Sequence, residues 1–497
     1  MARQLTTRAQ VNGYRFLLRR LEHALVRRDV RMLHDPMRSQ IQALLVGTVL
    51  GLLVLGGCGV WGLIRPQGSV GDAKIVVSKD GGGNYVVIDD TLHPVLNLAS
   101  ARLITGSSES PASVSDGKLA SYPRGPLLGI PGAPGALPSS GHPGESFWTV
   151  CDTAAVYPNV SGESITLTVI GERPVLGGAI DSADSDDAVM VTTGGETYLV
   201  YTVMRDGTPR TVRAAVDTDS VPVMRALGLE GVAPREMSAG LLNSFPEVDP
   251  IEVPDISGEG RPGGMRDDDI RVGSVVKSVG IDDQTSYYVV LRDGVQQITE
   301  ATAEILRLAD RDGTAPVQTV APGEIAATPT SARLPVDDFP DRAPNLVDVD
   351  TGGTLCRSWS RGADDPAATT GFLIGRTLPL PDGAEPVSLT SADGPGPGVD
   401  QVYLRPGTGE YLQVTGAEPD SERVESRFFV SDFGIRFGVA DAEAGQILGL
   451  GERPMQAPWS VISLLAAGPS LSRTAALVSH DGMVPDQDGR AIADPGN

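Results

Sequence analysis

Between Ile41 and Ile64 the chain reads IQALLVGTVLGLLVLGGCGVWGLI, 24 residues without one charge. A helix rises about 1.5 Å per residue and a bilayer's hydrocarbon core is about 30 Å thick, so this run predicts a membrane-spanning helix with some tilt. Asp35-Pro36 lies just upstream; Asp suits an N-cap and Pro the first helical turn. Arg65-Pro66 marks the end, and Trp61 falls where an interfacial aromatic is expected. A buried core helix is the alternative, and the unbroken lack of charge argues against it.

Charge predicts the orientation. Residues 1–40 hold nine arginines against three acids, whereas the remainder holds 31 basic against 60 acidic residues, a net of −29. Short basic flanks stay in the cytoplasm. The expected organisation is a cytosolic segment (1–40), one transmembrane helix (41–64), a large periplasmic domain (65–484) and a disordered tail (485–497). Leu55-Gly56-Gly57-Cys58 also resembles a lipobox, which would make the run a signal peptide ending in a lipid anchor. The long, patterned N-terminal segment and the apolar residues after Cys58 weigh against that.

In residues 7–29, TRAQVNGYRFLLRRLEHALVRRD, the residues Val11, Tyr14, Leu18, Leu21 and Leu25 recur at alternate spacings of three and four. That spacing predicts an amphipathic helix with Thr7 at its start and a basic coat off the stripe. Such a helix beside a membrane lies on anionic lipid headgroups or docks on a partner, and the regular stripe favours a partner. Ala43, Gly47 and Gly51 place small residues four apart in the spanning run, a pattern that permits close helix–helix approach.

The exterior portion predicts an α+β fold. Lys74–Ile104 reads as strand, turn, strand and a short helix, with turns at Asp80–Asn84 and Asp89-Asp90. Similar units follow Thr197 (turn Asp206-Gly207), Ser286 (turn Asp293-Gly294) and Arg427, each ending in a short helical pattern. Asp-Gly suits type I′ hairpins. One such unit cannot bury its own apolar face, so four degenerate copies should stack or share a β-rich core. Pro123–Gly144 and Asp249–Asp269 are Gly/Pro-rich and read as loops.

Cys151 and Cys356 both lie on the expected exterior, where disulfides persist. Their settings mirror each other: Trp148 stands three before Cys151, and Trp359 three after Cys356. A bridge is expected, closing a loop of 205 residues.

Motifs for chemistry are sparse. The chain has only four lysines, and the nearest approach to a phosphate loop, Gly117-Lys118, has Ala112 and Leu119 where Gly and Ser or Thr belong. No GxSxG motif occurs. Ser479-His480-Asp481 reads as a turn, and Asp181–Asp187 as an acidic loop. The five histidines are scattered, so no metal or other cofactor is expected. The exterior's negative charge excludes nucleic acid as a ligand.

The N-terminal TRAQVNGYRFLLRRLEHALVRRD and Asp35-Pro36-Met37-Arg38 resemble the EccB family, membrane components of mycobacterial type VII (ESX) secretion systems. The likeness continues through residues 85–104, 123–135, Trp148/Cys151, Cys356/Trp359 and 457–473. It implies a structural subunit of an inner-membrane core complex with EccC, EccD, EccE and a MycP-type protease, whose exterior repeat domains associate with further EccB copies. It also implies contact between the cytosolic segment and EccD and EccC. Proteins of this kind are often labelled ATPases, and an ATP-hydrolysing subunit is one rival reading. A cell-wall-binding membrane protein is another; aromatics make up only 5% of the chain.

Overall fold

The computed structural model describes residues 7–29, 36–64, 70–71, 73–156, 163–205, 207–267, 269–281, 283–310, 317–347, 353–394 and 396–482. The chain divides into two units, Met1–Ser69 and Val70–Asn497. The tail from Pro485, the residues Asp35 and Arg65-Pro66 and the side chain of Trp61 lie outside what is described.

The first unit is two helices, α1 (Arg8–Arg27) and α2 (Pro36–Ile64). At the start of α1 the Thr7 N–H donates to Gln10 Oε1 at 3.0 Å, satisfying an end donor. Arg28, at φ 53°, turns the chain out of the helix. Pro36 opens α2 at a position where its missing N–H costs nothing. The 29 residues of α2 make a rod of about 43 Å. Within it Ile41–Val60 has a mean hydropathy of 2.3 and no buried residue.

The second unit is sheet-rich, with the α+β character expected. In chain order, the first copy of a repeated module comprises β1 (Ile75–Ser78), β2 (Asn84–Ile88), β3 (Thr91–Val95), α3 (Leu98–Thr105), β4 (Ala112–Val114) and α4 (Asp116–Leu119). A short β5 (Leu127–Leu128) precedes three strands of a separate sheet: β6 (Glu145–Val156), β7 (Glu163–Gly171) and β8 (Ile180–Ser182). The second copy is β9 (Asp187–Thr193), β10 (Glu196–Arg205), β11 (Thr208–Ala215), α5 (Val221–Ala226), β12 (Arg235–Glu236) and α6 (Ala239–Leu242). The third is β13 (Val275–Val279), β14 (Thr285–Leu291), β15 (Gly294–Ile298), α7 (Glu300–Ala309), β16 (Gln318–Thr319) and α8 (Pro322–Ala327). After β17 (Asn345–Leu346) the separate sheet gains β18 (Thr354–Gly362), β19 (Thr369–Gly375), β20 (Val387–Ser388) and β21 (Gln401–Leu404). The fourth copy is β22 (Gly409–Thr415), β23 (Arg427–Ser431), β24 (Ile435–Val439), α9 (Ala442–Ile447), β25 (Met455–Pro458) and α10 (Trp459–Ile462). β26 (Ala466–Ala467), α11 (Arg473–Ala476) and β27 (Ser479–His480) follow, and β27 pairs with β5 on the first copy's sheet.

Each copy obeys one plan: a three-stranded antiparallel meander, a helix, a short strand returning parallel to the first strand, and a second short helix. The registers coincide. Val76, Val191, Val276 and Leu412, all fully buried, stand opposite Tyr85, Tyr198, Tyr288 and Phe428 on one side. On the other side they meet the returning strand at Ala112, Arg235, Gln318 and Met455. The sequence pattern had captured the second and third strands and the first helix of the later copies; the opening strand and the returning strand complete the module.

A sheet with helices on one side needs cover on the other. The first helices pair across copies. α3 and α9 enclose a core of Leu103, Ile104, Phe429, Phe437 and Leu448, joining copies one and four. α5 and α7 enclose Val223, Leu227, Ile305 and Leu306, joining copies two and three. Met237, Leu241 and Leu242 of copy two and Val461 and Ile462 of copy four close on Trp148, Val150, Leu167 and Val169 of the separate sheet. That sheet, ordered β20-β21-β7-β6-β18-β19-β8, is therefore the β-rich centre of the unit.

Three local expectations change. The hairpin expected at Asp293-Gly294 turns on Arg292 and Asp293, because Leu291 pairs directly with Gly294. Neither turn residue has positive φ, so it is not type I′; that geometry occurs at Asp89-Asp90, with φ of 46° and 58°. Asp206 of the other Asp-Gly turn lies outside the described residues. Ser479 and His480 form β27 rather than a turn, because β5 supplies a pairing edge. The acidic run Asp181–Asp187 is only partly loop: its first two residues belong to β8 and its last to β9.

Candidate assembly surfaces

Val11, Tyr14, Leu18, Leu21 and Leu25 lie along one face of α1, and all are exposed, from 42% at Val11 to 73% at Leu25. Leu17 and Val26 widen the apolar surface. No residue of α1 is buried. Five large apolar side chains in one stripe form a surface that water solvates poorly. On α2, Ala43, Gly47 and Gly51 share a face, and a Cβ built at either glycine meets no atom within 4 Å. The free thiol of Cys58 is exposed on the same helix, which runs on through it to Ile64.

In the second unit, Cys151 of β6 and Cys356 of β18 are directly opposite and joined by a disulfide. The pair is wholly buried beside Ile170, Ile180 and Leu373.

The interior carboxylates hold the architecture together. Asp152 accepts from the Ser238 N–H and hydroxyl, each at 2.7 Å, while Ser238 caps α6 by accepting from the Leu241 N–H. This joins copy two to the central sheet. Burial pushes the Asp152 carboxyl up to about 6, against the pull of those hydrogen bonds and of Arg235. Asp400 accepts three backbone N–H groups, from Leu167, Asp393 and Gly394. Glu172 pairs with His142 and accepts from Arg405 at 2.9 and 3.1 Å. Burial raises the Glu410 carboxyl, which accepts from Ser140 and Gly141. Sequence reasoning missed all four, because an isolated acid inside a strand pattern reads as solvent-facing.

None of these groups is arranged as nucleophile and base. Gly117-Lys118 lies in α4, and only Ser115 separates α4 from β4. A phosphate-cradling loop needs several residues between strand and helix. One cleft, of about 530 Å³, is lined by Arg205, Arg210, Glu247, Asp338 and Glu418. Its arginines already bind carboxylates, Arg205 to Asp338 and Arg210 to Glu418 and Asp420. Among the described residues, no three His, Cys, Asp or Glu side chains are grouped to hold a metal.

What this chain presents is therefore an amphipathic helix with an exposed apolar stripe, a helix long and apolar enough to cross a membrane, and a cystine-stapled repeat domain. A sequence-family model described as Type VII secretion system ESX-1, transport TM domain B, matches residues 3–485. The chain belongs to the EccB family of type VII secretion proteins. A relative named ESX-3 secretion system ATPase EccB3, from Mycolicibacterium smegmatis, is 38% identical over 486 residues, covering 96% of this chain and 92% of the relative. A chain of the intact ESX-5 inner membrane complex matches with a TM-score of 0.73 at 35% identity, covering 99% of both chains. The EccB3 dimer from the ESX-3 core complex matches with a TM-score of 0.70 at 34% identity, over 82% of this chain and all of that one. The EccB family match thus takes in both units, from α1 to the end of the repeats.

Proposed function

We propose that the chain is a structural subunit that anchors and assembles an ESX inner-membrane complex for protein export. In this reading residues 1–40 are cytosolic, 41–64 cross the membrane and 65–484 form the periplasmic part. The basic N-terminal segment, the acidic remainder and the cystine support that orientation. The partners are EccC, EccD, EccE and a MycP-type protease, with further EccB copies through the repeat domain and lipid around α2. The observation that carries the proposal is the exposed stripe Val11, Tyr14, Leu18, Leu21 and Leu25 next to a membrane helix. An amphipathic helix of this kind lays its apolar face into a groove of another subunit.

The test is Tyr14→Ser, Leu18→Ser, Leu21→Ser in a tagged full-length chain, extracted in mild detergent and sized by native mass measurement. Loss of the large assembly, with the disulfide and the unfolding midpoint of the repeat domain unchanged, is the expected result. Recovery of the full complex from the triple variant rejects α1 as the docking element.

The name of the M. smegmatis relative includes ATPase, which motivates a second reading in which this chain hydrolyses ATP. Neither the direct passage from β4 to α4 nor the carboxylate-paired arginines of the cleft forms a phosphate site. Turnover by the purified chain, abolished by a defined point substitution, would establish the second reading.

A further inference from the structure

Arg357 and Trp359 alternate along β18 and so present their side chains on the same face. Both are buried, at 5% and 3% exposure. Among the described residues, Arg357 Nη1 and Trp359 Nε1 have no hydrogen-bond partner. Both line one small cavity of about 10 Å³, closed by Ser244, Pro458, Ser460 and Val461. That is room for a single small occupant. The cavity lies where the central sheet meets the end of α6 from copy two and the start of α10 from copy four.

A guanidinium remains protonated in a protein, so Arg357 brings a full positive charge into this interior. Its guanidinium lies 5.2 Å from the centroid of the Phe245 ring, a favourable but partial compensation. The carboxylate that acts on it is Glu418, which is half exposed and bound to Arg210 at 3.4 Å. Guanidinium and indole N–H groups only donate. A water between them would have to point both of its own hydrogens at other acceptors. A monatomic anion accepts from both donors and neutralises the charge. We propose that this cavity is a chloride-type anion site, held by Arg357 and Trp359 with the Ser460 hydroxyl beside them, that locks the central sheet to copies two and four.

The probe is sodium bromide, monatomic like chloride and visible by anomalous scattering. The full-length chain in detergent is exchanged into sodium gluconate and titrated with bromide at constant ionic strength, following thermal unfolding. Wild type should gain about 3 °C at saturation. Arg357→Met, which removes charge and donor together, should show no gain, and Trp359→Phe should need several-fold more bromide. Crystals grown in bromide should show an anomalous peak beside Arg357 Nη1 and Trp359 Nε1. If Arg357→Met fails to fold, Trp359→Phe and the anomalous map decide. The proposal is overturned if wild type ignores bromide, if Arg357→Met gains as much, or if the cavity holds only water. It is equally overturned if Glu418→Gln lowers the midpoint in gluconate while wild type ignores bromide, since Glu418 then neutralises Arg357.

Discussion

Cys151 stands directly opposite Cys356 across antiparallel β6 and β18, and that register puts Trp148 directly opposite Trp359. The mirrored spacing, tryptophan three before one cysteine and three after the other, is what an antiparallel pair must produce. The Cα atoms of the cystine are 4.1 Å apart, close to the narrow spacing of a non-hydrogen-bonded pair. The bond separates its partners by 205 residues, and loop-closure entropy assigns such a bridge about 5 kcal/mol before any strain. Replacing both residues with alanine should therefore lower the stability of the repeat domain by about 2–5 kcal/mol. Thermal unfolding of wild type with and without reductant, beside Cys151→Ala/Cys356→Ala, measures it. An unchanged midpoint would mean that the sheet register alone holds β6 to β18.

Gly294 begins β15 directly after its hairpin turn, and a Cβ there would stand 2.0 Å from the Pro329 carbonyl oxygen. The Val295 N–H donates to that same oxygen at 2.8 Å, so the two segments cannot separate without losing a bond. Gly294→Ala should destabilise the domain by about 2–3 kcal/mol. Gly323 in α8 has open space at its Cβ position, and Gly323→Ala should lie within about 0.5 kcal/mol of wild type. Denaturant midpoints of the two variants provide the comparison, and equal midpoints would remove the steric argument.

The parts read most readily from sequence were those with a local period. α1 and α2 are long, and their apolar spacing survives without tertiary help. The hairpins and first helices of the copies were legible from β-branched runs and turn residues; the structure adds their caps, the Asn97, Thr299 and Asp441 side chains accepting from the Ser100, Thr302 and Ala444 N–H groups. The full module was hidden by its loops. The paired residues Val76/Tyr85, Val191/Tyr198, Val276/Tyr288 and Leu412/Phe428 are separated by nine, seven, twelve and sixteen residues. No fixed repeat length exists to detect. The returning strands are two to four residues long, too short to show alternation. The central sheet joins segments about 200 residues apart, and only the mirrored Cys and Trp pairs announce it. Asp152 and Arg357 were missed because a charge on a strand looks like a solvent-facing residue until the packed neighbours are known.

Asp152 makes the domain's stability fall as pH rises. Its carboxyl is pushed up from 3.8 to about 6 by burial, so the folded protein holds this proton more tightly than the unfolded chain. The resulting stabilisation is complete below about pH 4 and is lost as pH rises through about 6. A shift of that size corresponds to about 3 kcal/mol. Asp152→Asn removes the titration while keeping the shape. The difference between wild-type and variant unfolding free energies should therefore move by about 2.4 kcal/mol against wild type between pH 4 and pH 7. A constant difference across that range would show that the Ser238 hydrogen bonds and Arg235 hold Asp152 ionised throughout.

Gly47 and Gly51 separate the needs of the chain from the needs of its assembly. Neither glycine is required by α2 itself, since a Cβ at either position meets nothing within 4 Å. In a membrane, helices gain little from apolar burial against one another, and small residues earn their place by letting backbones approach closely. Isoleucine at both positions raises hydropathy, so membrane insertion should persist and the repeat domain should unfold at the wild-type midpoint. If Ala43, Gly47 and Gly51 form a contact face, Gly47→Ile/Gly51→Ile should shift the detergent-extracted assembly to a smaller native mass. Adding Ala43→Ile should deepen that shift, because it lies on the same stripe. An assembly of unchanged mass, with the variant fully incorporated, would mean that this face meets lipid and that the small residues carry no packing role.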